Sequence, residues 1–378
     1  MKVLLIAHSS GIQGAGIALR NIVNGLVKAN VDIVVTFPSK GTLFNELKNK
    51  GVPCRIVRIK DYNVPQKKDA KSKILFFPRL IRIFIINFWG LLQLFFLVKE
   101  EFPDIIHSNS GVIRIGHIVS KILHIPHVWH IREYQTDNSD YIPIGGEIAL
   151  KKHFHDNNNH CVTITQGLFD YYELNEKKDR VIYDGVFSES YLPQINYKKR
   201  NYFLYIGALE EGKGIMDLLS AFESFHPFHS DFELWLAGRD NINICDCIRN
   251  YESKNKIKYL GFRDNVYELM QNATALIVPS FFEGFGFITA EAMINGCPVI
   301  GRDTTGTKEQ FDNGLKKFGM DIGYRFSTIE ELRSLLIYIS EIKSTSIHEK
   351  LERAQLCAHQ YTIERNLSNI INQYNRVL

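Results

Sequence analysis

Leu276-Ile277-Val278-Pro279-Ser280-Phe281-Phe282-Glu283-Gly284-Phe285-Gly286 continues through Phe287-Ile288-Thr289-Ala290-Glu291-Ala292-Met293 to Gly296, and Cys297-Pro298-Val299-Ile300 follows. Leu276 to Pro279 is a short apolar run closed by proline, which reads as a buried strand. A helix begins at about Ile288 and Gly296 stops it, so Val299-Ile300 resumes the sheet. Strand, loop, helix and strand in one short stretch form the repeating unit of a parallel sheet. Gly284 and Gly286 allow a backbone to approach a ligand closely, and the helix start favours negative charge. Glu283 sits in the loop and Glu291 a turn inside the helix, two carboxylates of different reach that suit a hydroxyl-rich ligand. An acid at a helix start also has a purely structural role, about 0.3–1 kcal/mol.

The same alternation extends in both directions. Towards the N-terminus of this half, strands are expected at Tyr202–Ile206, Glu233–Ala237 and Lys258–Leu260. The other half opens with a strand from Val3 to Ala7, a glycine loop, and a helix whose Leu19, Ile22, Val23, Leu26 and Val27 share one face. Asp32–Phe37, Ile105-Ile106, His127–Ile131 and Val162–Ile164 fit as further strands. Between the halves Ser188 to Arg200 is polar, with Pro193, Asn196 and Lys198-Lys199-Arg200, which suits an interdomain linker. The expected fold class is α/β: two Rossmann-like, doubly wound domains with a cleft between them, where ligands bind beyond the carboxyl ends of the strands.

Two more loops leave strand ends. Gly11-Ile12-Gln13-Gly14-Ala15-Gly16 lacks the GxGxxG spacing of dinucleotide binding, so a tight turn explains it equally well. Gly207-Ala208-Leu209-Glu210-Glu211-Gly212-Lys213-Gly214 matches the GxxxxGK part of a phosphate loop, but Gly214 stands where Ser or Thr would ligate magnesium. That disfavours a nucleoside triphosphatase and leaves Lys213 as a point charge for a diphosphate.

Composition sets the remaining bounds. With 378 residues, 45% hydrophobic and 23% charged, the chain is an ordinary globular protein of two domains. Its six cysteines contain no CxxC pair, so neither a zinc site nor a disulfide framework is indicated and a cytoplasmic location is expected. The apolar run after Met1-Lys2 is too short for a signal peptide. Between Leu47 and Lys99 there are twelve Lys or Arg residues, Lys67, Lys68, Lys71 and Lys73 among them, against Asp61 and Asp69 alone. Ile83 to Val98 then carries no charge, sixteen residues where about 20 are needed to span a bilayer. This region reads either as a buried helix with a solvated basic neighbour or as a surface resting on anionic lipid. Nucleic acid is disfavoured, because no reading module accompanies the charge.

Gly207 to Gly214, Tyr259-Leu260-Gly261-Phe262-Arg263-Asp264-Asn265-Val266 and Pro279 to Gly301 together resemble the donor-binding half of glycosyltransferase family 4. Glu283 to Met293 is similar to that family's Glu-x7-Glu signature. Val181-Ile182-Tyr183-Asp184-Gly185-Val186 and Tyr361-Thr362-Ile363-Glu364 also fit, so the similarity extends over nearly the whole chain. The resemblance implies a GT-B fold with an acceptor-binding domain over 1–187, a linker over 188–200, a donor-binding domain over 201–360, and a last helix within 361–378 packing back toward the first domain. It implies a retaining transfer from a nucleotide diphosphate sugar, UDP- or GDP-linked. Glu283 would contact the sugar hydroxyls, Glu291 the ribose and Lys213 the diphosphate, while Phe262 and Arg263 border the nucleobase. Gly14, Gly207, Gly238, Gly284, Phe285, Gly286, Phe287 and Ile288 complete the implied donor site. No cofactor is expected, and no two aspartates are separated by one residue, so the DxD metal site of the other major transferase fold is missing.

Two departures from the family pattern stand out. Its usual arginine five residues before the lysine is Ala208 here, leaving Arg239 or Arg302 to supply a phosphate charge. Its strand-ending His-Asp pair is replaced by His130-Ile131-Arg132-Glu133. Counting from Pro126 aligns Arg132 with the histidine, yet His130 shares its strand face, so either is a catalytic candidate and a structural strand-end histidine is the alternative. The basic, apolar stretch suggests a lipid-linked saccharide acceptor, as in capsule or O-antigen assembly, at the inner face of the cell membrane. A nucleotide-sugar epimerase of the same fold and a non-catalytic nucleotide-sugar binding protein are the rival readings.

Overall fold

The computed structural model describes all residues except Gln13, 66–73, 136–140 and Lys343. Lys67, Lys68, Lys71 and Lys73 of the basic run, and Gln13 of the first glycine loop, therefore lie outside the described residues. The rest divides into two compact units, Met1–Gly185 with Ile363–Leu378, and Val186–Thr362.

In the first unit β1 (Lys2–Ile6), β2 (Asp32–Phe37) and β3 (Cys54–Ile56) lead to a small antiparallel ribbon of β4 (Asn63–Pro65) with β7 (Tyr141–Pro143). Between those two come β5 (Ile105–Ser108) and β6 (His127–Ile131), and β8 (Asn159–Thr163) and β9 (Arg180–Val181) complete the set. The main sheet has the order β3-β2-β1-β5-β6-β8-β9 and every pairing is parallel. The second unit contains β10 (Arg200–Ile206), β11 (Glu233–Ala237), β12 (Ile257–Gly261), β13 (Ala273–Val278), β14 (Val299–Arg302) and β15 (Tyr324–Phe326), ordered β12-β11-β10-β13-β14-β15 and again parallel. Both sheets start in the middle, run to one edge and restart on the other side. That reversal, between β1 and β5 and between β10 and β13, is where doubly wound folds open a crevice.

Each sheet is covered on both faces, which is why its strands are continuous apolar runs. Successive residues of β1 point to opposite sides. Val3 and Leu5 join Leu19, Ile22, Val23 and Leu26 of the helix Ala15–Lys28, whereas Leu4 and Ile6 join Leu94, Leu97 and Val98 of the helix Phe76–Glu101. Burying each such side chain contributes about 1.5–3 kcal/mol. Val27, expected on the packed face, is 47% exposed, because it falls at the helix's outer edge one residue beyond Leu26.

The polar stretch over 188–200 is not a free linker. Tyr191 donates its hydroxyl to Asn295 Oδ1 at 2.6 Å, and Lys199 Nζ donates to the carbonyls of Gln271 and Gly296 at 2.8 and 2.7 Å. Gln355 Nε2 donates to the Pro193 carbonyl at 2.8 Å. The polar residues there satisfy helix-end carbonyls of the second unit, and the chain crosses between units at 185–186 and 362–363 instead. The helix Ile363–Val377 belongs to the first unit. Leu367 packs so closely on Gly25 that a Cβ there would lie 2.8 Å from it, Asn366 donates to the Tyr183 carbonyl at 2.7 Å, and buried Tyr374 hydrogen-bonds His107 Nδ1 at 2.5 Å.

His107 has no second partner among the described residues, since its Nε2 is buried and unpaired. Tyr374→Phe then removes the only hydrogen bond of a buried ring and is expected to cost about 1–3 kcal/mol. Urea unfolding followed on the first unit's transition measures this, and a loss under about 0.5 kcal/mol, the range of neutral surface changes, would contradict it.

Candidate functional site

At the carboxyl end of the second sheet, three loops lock together through glycines. Gly207 follows β10 and donates to the Ala237 carbonyl at 3.0 Å. Gly238 follows β11 at φ 139°, and a Cβ on it would lie 1.8 Å from the Gly207 oxygen, so no other residue allows that approach. Leu209 N–H donates to the Arg239 carbonyl at 2.8 Å, and Gly238 N–H donates to the Gly261 carbonyl at 2.9 Å. Phe262 and Arg263 follow, both exposed. One 3-10 turn, Glu211–Lys213, then feeds the helix Ile215–Phe225.

Beyond β13 the loop from Pro279 to Gly286 is held from its far side. Thr305 Oγ1 accepts from Glu283 N–H at 2.9 Å, Gly306 N–H donates to the Glu283 carbonyl at 3.0 Å, and Gln310 Nε2 donates to the carbonyls of Phe285 and Gly286 at 2.7 and 3.0 Å. Phe285 is buried, and Gly286, left-handed at φ 85°, opens the helix Phe287–Ile294. The amides of Phe287 and Ile288 start that helix without an intrahelical acceptor, as the first turn of any helix does. With its carbonyl and amide both fixed, Glu283 projects its carboxylate to Lys213, Oε1 to Nζ 2.8 Å.

Glu291 lies a turn further in and is largely buried. Burial pushes its carboxyl up to about 7, against the opposing pull of a hydrogen bond donated by Tyr267 at 3.4 Å. Tyr267 in turn packs on Tyr191, ring centroids 5.4 Å apart. A carboxyl poised near neutrality and a carboxylate paired with a lysine thus lie on one loop and helix, between them able to accept several hydroxyl hydrogen bonds. Among the described residues no three His, Cys, Asp or Glu side chains are grouped to hold a metal ion.

Of the two candidate substitutes for the charge missing at Ala208, Arg302 is already committed. Its guanidinium pairs with Asp217, donates to the carbonyls of Pro279 and Ser327 at 2.9 and 3.0 Å, and is buried against Phe281 and Phe326. Removing it from that set would leave Asp217 and two carbonyls unpaired. Arg239 is exposed and makes no ion pair among the described residues.

In the first unit Gly14 turns the chain at φ 44° ahead of the helix Ala15–Lys28. His130 and Arg132 are both buried. Arg132 Nη1 contacts both carboxylate oxygens of Asp184, at 2.6 and 2.7 Å, and donates from Nε and Nη2 to Asn109 Oδ1. His130 stacks on His107, with centroids 5.5 Å apart, and its Nε2 has no partner among the described residues. Burial and the neighbouring guanidinium hold its imidazole well below the ordinary range, so it is neutral.

Against the solved structure of the Anabaena protein Alr3699/HepE in complex with UDP-glucose, this chain superposes with a TM-score of 0.75 over 100% of both chains, at 17% identity. The fold is GT-B. Residues 189–336, all in the second unit of this GT-B chain, match the family described as glycosyl transferases group 1. An uncharacterized glycosyltransferase of Methanocaldococcus jannaschii is 27% identical over 224 residues, 56% of this chain and 60% of the relative. The O-antigen chain mannosyltransferase RfbU of Salmonella typhimurium is 28% identical over 165 residues, 40% and 43% of the two chains. The matches thus span less than two thirds of these relatives.

Lys213, Gly207, Gly238, Phe262, Arg263 and the Glu283–Glu291 stretch all occur at one end of the second sheet. Sequence reading missed Tyr267, Thr305 and Gln310, which hold that stretch in place. Tyr267 directly follows the Tyr259 to Val266 run, whereas Thr305 and Gln310 carry no local signal.

The raised carboxyl of Glu291 has a stability consequence. Below its ordinary value of 4.5 it is neutral whether the chain is folded or not, and as pH rises towards about 7 the unfolded chain loses the proton first. Its contribution is therefore present at low pH and lost as pH rises through 7. Glu291→Gln stays neutral throughout, so its unfolding free energy relative to wild type should be higher at pH 8 than at pH 5. Equal differences at the two values would show that the carboxyl titrates normally.

Proposed function

We propose that this chain is a retaining glycosyltransferase of family 4 that moves a hexose from a UDP- or GDP-sugar to a saccharide acceptor without a metal ion. The observation that carries the reading is the Lys213–Glu283 pair, set by two glycine loops at the topological switch point of the second sheet. The group 1 match to residues 189–336 and the presence of UDP-glucose in the Anabaena structure support it. Bond cleavage at the anomeric carbon passes through an oxocarbenium-like state while charge grows on the departing diphosphate. Lys213 and the amides at the start of the helix Phe287–Ile294 can meet that charge without reorganising, which is where most of the rate enhancement would arise. Glu283 then takes the sugar hydroxyls and Glu291 the ribose.

Arg239 fills the role left by Ala208. It follows the glycine whose backbone touches Gly207, and no ion pair among the described residues competes for it. His130 is preferred to Arg132 as the catalytic side chain of the first unit, because its Nε2 remains to be satisfied while Arg132 is spent on Asp184. The likeness to an O-antigen mannosyltransferase favours a lipid-linked acceptor in capsule or O-antigen assembly at the cytoplasmic face of the membrane.

Incubation with a panel of UDP- and GDP-sugars, with and without saccharide acceptors and EDTA, tests the reading. Acceptor-dependent release of nucleoside diphosphate that persists in EDTA is expected, with the donor's anomeric configuration kept in the product. Epimerised donor without acceptor would mean an epimerase, and tight binding without turnover a binding protein. Glu283→Ala should lower kcat by about 10²–10³, and full activity would sink the site. Arg239→Ala should raise the donor KM about tenfold, the loss of one charge-assisted hydrogen bond, and Ala208→Arg in that background should restore it. An unchanged KM would remove Arg239 from the site.

A further inference from the structure

The helix Phe76–Glu101 is apolar on two opposite faces. Its 26 residues, about 39 Å long at the standard rise, include an 18-residue window of mean hydropathy 2.0, yet only 28% of that window is buried. Ile83, Asn87, Gly90, Leu94, Leu97 and Val98 form the packed face. A Cβ on Gly90 would lie 2.2 Å from the Arg58 carbonyl, and Asn87 exchanges two 3.0 Å hydrogen bonds with the Lys60 backbone, so this face is fixed to the first unit. At 100° per residue the opposite face, an arc of about 140°, presents Phe77, Ile81, Phe84, Ile85, Phe88, Trp89 and Phe96, each at least half exposed. Arg79 and Arg82, which made the apolar run look short in the sequence, lie within the helix and off that face.

Those two arginines lead into a pocket of about 360 Å³ where the helix meets the β4–β7 ribbon. Lys60, Arg79 and Arg82 line it together with Tyr141, and Asp61 is the one acid among the described residues that line it. None of the three cations has an ion pair among the described residues. A helix with one face locked into a globular core cannot cross a bilayer, but it can lie in the plane of one. The aromatic content of the free face and its bordering unpaired cations match the boundary between acyl chains and anionic headgroups. A protein partner would instead be met by a rim of mixed polar groups.

We propose that this helix seats the first unit on an anionic bilayer, with Phe77 to Phe96 at the acyl boundary and a lipid phosphate held by Lys60, Arg79 and Arg82. The proposal stands independently of sugar transfer. It is tested with the full chain and vesicles of phosphatidylcholine alone or mixed with phosphatidylglycerol. Sedimentation with the anionic vesicles only is expected, weakening as salt rises, together with a blue shift of tryptophan emission that Trp89→Phe abolishes. Arg79→Gln with Arg82→Gln should lower the partition coefficient about thirty-fold, from the attraction per basic residue near such a surface. Phe84→Ser with Phe88→Ser should abolish binding, and UDP affinity should be unchanged in all variants.

Failure to bind, or equal binding to neutral vesicles, overturns the proposal. So does a dimer in solution that Phe88→Ser dissociates, which would make the face an interface between copies. Displacement from vesicles by inorganic phosphate, but not by chloride at equal ionic strength, would assign the pocket to free phosphate. Loss of UDP binding in the wild type would count against the donor reading and leave the vesicle result untouched.

Discussion

Gly214 lies against the carbonyl of Pro279 so closely that a Cβ would come within 2.1 Å of the oxygen, and the geometry around Lys213 follows from that contact. It joins the loop after β10 to the loop after β13, the two strands that flank the switch point. Lys213 precedes the contact and Glu283 follows it, which brings two side chains 70 positions apart to 2.8 Å. Any side chain at 214 would have to push the loops apart, and at φ 67° it would also be strained. The chemistry proposed for this end of the sheet therefore rests on backbone approach before it rests on charge.

The two acids of the signature are set in different electrostatic surroundings by the same helix. Glu283 is ion-paired and partly solvated, whereas among the described residues Glu291 has only a tyrosine hydroxyl to offset its burial. Environments that push similar groups apart are how one site assigns them different tasks. In the first unit, the buried Arg132–Asp184 pair with Asn109 reads as a structural network, since separating either partner would leave an uncompensated charge. Its neutral neighbour His130, like His107 stacked on it, keeps one buried ring nitrogen without a partner among the described residues.

What could be read from the sequence was local. Strand runs, the glycines at 207, 238, 284 and 286, and the spacing of Glu283 and Glu291 are set by near neighbours, so the doubly wound fold and the clustering at one sheet end were legible. What could not be read depended on distant partners. Arg302 looked as available as Arg239 until Asp217, 85 positions away, was seen to hold it. The 188–200 stretch has the composition of a linker because its polar groups serve carbonyls of helices far along the chain. Thr305 and Gln310 clamp the Glu283 loop from a helix with no apolar signature pointing there. Arg79 and Arg82 hide the length of the long helix in the sequence because they interrupt the apolar run, although an arginine at the edge of an apolar face costs a helix little.

The last helix, Ile363–Val377, completes the first unit although the whole second unit is translated before it. As the chain leaves the ribosome, residues 1–185 emerge with the Gly25 side of their first helix and the His107 ring uncovered, and stay so while some 180 further residues are made. The second unit, continuous in sequence, can finish first. The first unit cannot complete its core until the last helix is made, and until then it carries uncovered apolar surface, the condition in which nascent chains aggregate. Truncation ahead of Ile363 would then do its damage at the opposite end of the sequence.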